Sequence, residues 1–68
     1  MTKETLGTFI TQRRKDIGLT QKELAERTGI YQADISKIER AIGNPSLSTL
    51  SRLAEGLGME LRIDFMSK

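Results

Sequence analysis

Gln32, Ser36, Lys37 and Arg40 recur at helical spacing, with Ala33 set among them. On a helix these five would share an outward face, because Ile35 and Ile38 occupy the inward one. An amide, a hydroxyl, an ammonium and a guanidinium in one row make a field of hydrogen-bond donors with net positive charge. Chemistry of that kind suits base edges and phosphates. By periodicity alone, however, the plainer reading, a solvated helix surface, is the stronger one. Support has to come from the elements that would position the row.

Other chemistries have little to work with. The 68 residues include no Cys and no His. Disulfides, thiolate or His-assisted catalysis and the usual zinc sites are therefore excluded. A catalytic set would need Lys or carboxylates gathered in a pocket, and here they lie scattered on helix faces. We expect no enzyme activity, no metal and no cofactor. Eleven basic and nine acidic residues leave a net charge of +2, with a sequence pI near 9.3. That balance permits a nucleic-acid partner without requiring one. Phe9, Tyr31 and Phe65 are too few for a single-strand stacking platform.

A chain of this length is one domain with a small core, and such domains commonly need a staple. With disulfides and zinc excluded, oligomerisation is the staple left. The first sixteen residues hold no apolar run fit for a signal peptide, and no stretch nears membrane-span length. The absence of Cys fits a cytoplasmic protein.

Four helices are expected. Thr2 or Thr5 caps the first, which runs to about Asp16 with Leu6, Ile10 and Ile17 on one face and is stopped by Gly18. "TQKE" reads as a capping box in which Thr20 and Glu23 satisfy each other's amides. The helix it opens ends at Thr28-Gly29. A third helix spans roughly Gln32 to Arg40, packing Ile35 and Ile38 on Leu24 and Ala25. "AIGNPS" is a loop, and Ser46 caps a fourth helix whose stripe of Leu47, Leu50, Leu53, Ala54 and Leu57, its four leucines expected in the core, ends at Gly58.

The tail follows another rule. In "MELRIDF", Met59, Leu61, Ile63 and Phe65 alternate with Glu60, Arg62 and Asp64, the period of a strand with one buried face. No other segment reads as a strand, so its expected partner is a second copy of the chain, with Leu61, Ile63 and Phe65 as the dimerising residues.

Two helices joined by a short glycine turn form the helix-turn-helix pattern. Residues 6 to 58 resemble the Cro and lambda-repressor-like (XRE-type) DNA-binding domain. The likeness rests on "RRKDIGLTQKELAERTG", "ISKIER" and "NPSLSTLSRLAEGLG". It implies an all-α bundle of about four helices over residues 1–58; the period-two pattern, not the likeness, marks residues 59–68 as dimerisation strand and tail. It also implies a bacterial or phage-encoded repressor-type regulator, a two-fold dimer on double-stranded DNA with two half-sites.

Helix three would enter the major groove, with Gln32, Ala33, Ser36 and Lys37 near base edges. Gln21 would meet a phosphate and touch a base edge, while Tyr31, Arg40, Asn44 and Ser46 would hold phosphates. Arg14 and Glu39 match a pair bridging helices one and three. The chemistry agrees. Gln pairs with adenine through two bonds, Lys donates to guanine, and the Ala33 methyl suits a thymine methyl.

There are departures from the pattern. Tyr31 stands where a small capping residue is usual, leaving Asp34 to serve the helix dipole. Asp34 would repel phosphate if it faced the groove. Ala41 replaces a common glycine, which suggests a loop reshaped around Gly43. The strand-like ending looks like that of short antitoxin regulators. An antitoxin that binds a toxin and represses its own operon is thus one alternative, although no extra toxin-wrapping segment is present. A restriction-modification controller is another.

Overall fold

The computed structural model describes residues 1–68, and it holds four helices: α1 Lys3–Asp16, α2 Gln21–Thr28, α3 Gln32–Glu39 and α4 Leu47–Gly56. Three of the four starts have a local cause. Thr2 accepts from the Thr5 amide at 3.0 Å, and Ser46 accepts from the Thr49 amide at 3.1 Å. At α2 the box is reciprocal: the Thr20 hydroxyl takes the Glu23 amide at 3.0 Å, and the Glu23 carboxylate takes the Thr20 amide at 2.9 Å. That amide, with the Thr20 hydroxyl, holds the exposed Glu23 carboxyl below its usual pKa. Only α3 starts without a side-chain cap, since Tyr31 makes none.

The stops are as local as the starts. After α1 and α4 the chain turns through left-handed glycines, Gly18 at φ 76° and Gly58 at φ 71°. At α4 the Gly58 amide returns to Glu55 and the Met59 amide to Ala54, at 3.0 and 2.8 Å, satisfying carbonyls that would otherwise be orphaned. The same closure ends α3, with Ala41 to Ile38 at 3.1 Å and Ile42 to Lys37 at 2.8 Å. Here the left-handed residue is Ala41 itself, at φ 62°. Gly43, two residues on, is left-handed as well, at φ 78°, so the loop turns at both positions; at Ala41 the glycine conformation is adopted despite a Cβ.

Ile10, Leu24, Ile30, Ile35, Ile38, Leu53 and Leu57 form the core, with Leu6, Ile17, Leu19, Ala25 and Leu50 packed around it. Leu47, placed in the core by its stripe, is 61 % exposed at the start of α4. Ile30, in the turn between α2 and α3, is buried instead. Helices α1 and α3 cross at Gly7, where an added Cβ would lie 2.6 Å from the Glu39 carbonyl oxygen and 2.8 Å from that of Ile38. Residues 59–68 form no regular element within the single chain. No helix is long and apolar enough to cross a membrane.

Candidate nucleic-acid interface

Burying Ile35 and Ile38 turns the opposite side of α3 outward. Gln32, Ala33, Lys37 and Arg40 are exposed there, and Ser36 is half-buried beside them. Arg40 is the C-cap rather than part of the helix. Its Nε donates to the Ser36 carbonyl at 3.2 Å, which lays the guanidinium along the helix with both terminal nitrogens unpaired. Tyr31, 82 % exposed, stands at the opposite end of α3.

Glu39 links three helices at the end of α3. Arg14 of α1 grips it with two parallel bonds, Nε to Oε2 at 2.8 Å and an Nη to Oε1 at 3.0 Å. The two side chains are only 11 % and 5 % exposed. A third Arg14 bond, at 2.9 Å, reaches the Leu19 carbonyl before α2. Burial alone would raise the Glu39 pKa, but the bonds from Arg14 and Gln21 outweigh it and hold the carboxyl below its usual range. The same contact raises the pKa of Arg14. The pair is ionised at neutral pH and ties α3 to α1.

Gln21 joins this network. Its side-chain nitrogen donates to Glu39 Oε1 at 3.1 Å, so one of its two N–H groups is committed inward. The other is left for an external acceptor. The α2 N-terminus thus lies beside the end of α3. Across a cleft of about 440 Å³ from Tyr31, Asp34 and Lys37 lie Asn44, Ser46 and the start of α4. The Ser46 hydroxyl is occupied by capping, so the groups open there are the Asn44 side chain and the first amides of α4, where the helix dipole favours an anion.

Nothing in the local sequence assigns Arg13 or Arg27 a role. In the fold both donate to the closing turn of α4, Arg13 to the Leu57 carbonyl at 3.1 Å and Arg27 to the Gly56 carbonyl at 3.3 Å. Arg52 does the same for α2, reaching the Thr28 carbonyl at 2.9 Å. Cations at helix C-termini satisfy orphan carbonyls and oppose the dipole. No local signal announces this, since each arginine serves a helix other than its own. These three are tied to the body; Lys37 and Arg40 are the cations presented by α3.

The helix-turn-helix family HTH_3 matches residues 10–63 by its sequence profile. An uncharacterised HTH-type transcriptional regulator of Methanothermobacter thermautotrophicus is 45 % identical over 55 residues, 81 % of this chain and 80 % of that protein. The immunity repressor of Bacillus phage phi105 is 42 % identical over 57 residues, 84 % of this chain but 40 % of the repressor. The restriction-modification controller protein C.AhdI from Aeromonas hydrophila superposes with a TM-score of 0.82 at 29 % identity, over 85 % of this chain and 88 % of that one. With four helices and the turn between α2 and α3 in place, the chain belongs to the helix-turn-helix family of DNA-binding transcriptional regulators.

Proposed function

We propose that the protein binds a specific double-stranded operator as a two-fold dimer and represses transcription from it, with α3 in the major groove. The observation that carries this reading is the division of labour around α3. Its inward side is fixed by Ile35, Ile38 and the partly buried Arg14–Glu39 pair. Its outward side presents Gln32, Ala33 and Lys37 with no intramolecular bond to any of their side chains. A rigid helix with uncommitted donors on one face is suited to direct readout of bases.

In this reading Gln32 and Lys37 contact bases, with Ser36 close by and the Ala33 methyl against thymine. Phosphates are held by the free N–H of Gln21, by the Tyr31 hydroxyl and Arg40, and by Asn44 with the amides following Ser46. Asp34 borders the cleft with Lys37 and would favour a cytosine amino group over phosphate. Residues 1–58 form the reading domain, and residues 59–68 form the dimerising segment.

Fluorescence anisotropy with a selected operator tests the assignment. Gln32→Ala and Lys37→Ala should each weaken specific binding by about 1–3 kcal/mol and relax preference at different base positions. Arg40→Ala should weaken all duplexes alike and lower the salt slope by about one unit. Unchanged base preference in both α3 variants would remove α3 from the recognition mechanism.

A further inference from the structure

We propose that residues 60–66 pair antiparallel with the same segment of a second copy in a single register, centred on Ile63 and selected by charge. This deepens the dimeric reading above and rests on it. The last backbone group tied to the body is the Met59 amide, bound to Ala54 at 2.8 Å; no backbone group of residues 60–68 is hydrogen-bonded within the chain. The segment lies beside an apolar cleft of about 660 Å³ lined by Leu6, Phe9, Leu50 and Leu57 together with Leu61 and Ile63. Leu61 is half-buried there, whereas Ile63 is 53 % and Phe65 98 % exposed.

Across a two-fold axis, antiparallel partners sit at positions whose numbers have a constant sum. The apolar residues keep one face only when odd positions oppose odd ones. Centring on Arg62 sets Arg62 against itself and Glu60 against Asp64. Centring on Asp64 opposes two acids. Like charges directly opposite destabilise a ribbon, so both registers are disfavoured.

Centring on Leu61 pairs Glu60 with Arg62, but it needs backbone already in use. Whichever set of pairs exchanges hydrogen bonds, it requires the amide of Met59 or of Gly58, and those are committed to Ala54 and Glu55. It also leaves Phe65 opposite the end of α4.

Centring on Ile63 meets none of these objections. Arg62 faces Asp64 twice, Leu61 faces Phe65 twice, and Ile63 meets itself. All of the backbone from 60 to 66 is free for pairing. Each Phe65 then lies against the partner's Leu61, which borders the cleft. The occupant of this apolar surface is a second copy of the chain.

The protein contains no cysteine, so single cysteines report the register directly. Under mild oxidation of the full chain, Ile63→Cys should cross-link far faster than Leu61→Cys or Arg62→Cys. Faster cross-linking at either of the other two positions would overturn the register. Absence of cross-linking at all three would likewise overturn the proposed register.

Sedimentation supplies an independent arm. Arg62→Asp and Asp64→Arg should each weaken dimerisation about tenfold, and the two together should restore it to within about twofold. Without restoration, the Leu61 register would be favoured, because there Glu60 would oppose an acid. Operator affinity of the unmodified chain, measured alongside, separates the two levels: a dimer with no operator preference would sink the DNA-binding reading, and cross-linking would still report the register.

Discussion

The junction of α1 with α3 and the tail after α4 solve opposite problems. At the junction every strong group has its partner inside the chain. Arg14 and Gln21 converge on Glu39, and Gly7 lets two helix backbones touch. In the tail the apolar residues alternate as in a half-buried strand, yet Phe65 is almost wholly exposed and the backbone is unpaired. A completed region can be tested by breaking what it has. An uncompleted one is tested by denying it what it needs.

The largest effect is expected from the tail, and on binding rather than folding. Ile63→Asp should leave the four helices intact, turn the dimer into a monomer and abolish most operator affinity, because charge would enter the buried face of the ribbon. Circular dichroism and sedimentation would show it; a variant still running as a dimer would remove the tail from the mechanism.

Next comes the junction. Arg14→Ala should lower stability by about 3 kcal/mol, since it strands a carboxylate that is 5 % exposed. Glu39→Ala should hurt similarly, and the double variant should fall short of the sum. Additive losses in thermal melts would mean that the pair does not act as a unit.

The pair also sets a pH dependence. The folded-state pKa of Glu39 lies below its ordinary value of 4.5. Its contribution should therefore be complete above that value and fade as pH falls through the lower, folded one. Melts of the protein and of Glu39→Gln should converge as pH drops through this window. A gap that persists in acid would assign the effect to packing.

Smaller effects fall on the two backbone positions. Gly7→Ala gains about 1 kcal/mol of helix propensity, but its methyl meets two carbonyl oxygens that cannot move aside. The clash should win, with a net loss of about 2 kcal/mol. Ala41→Gly should raise stability by about 1 kcal/mol, because Ala41 is held at φ 62°. A loss there would mean that the closing turn of α3 depends on the Ala41 methyl.

How much of this was legible depends on the range of each signal. The caps at Thr20 and Ser46 and the glycine stops were readable because cause and effect lie within a few residues. The period-two pattern of the tail is just as local, but residues 59–68 form no regular element in the single chain, and the strand it suggests belongs to the proposed dimer. Arg13, Arg27 and Arg52 were opaque because each binds a carbonyl that only tertiary packing brings near. Leu47 misled because a helical stripe marks a face but not how far the neighbouring helices extend along it. Around α3, periodicity picked out the outward row but could not distinguish it from an ordinary wet surface. The inward commitment of Glu39 and Gln21, on which the proposed reading of that row leans, is a property of the fold that no local pattern carries.

The central claim is that two copies present α3 to successive major grooves on one side of a duplex. Selection of bound duplexes from a random pool, using the full chain, tests it most directly. The account predicts enrichment of an inverted repeat whose half-sites lie about one helical turn, roughly 34 Å, apart centre to centre. A pool that stays random, or one that enriches a single unpaired site, would contradict it.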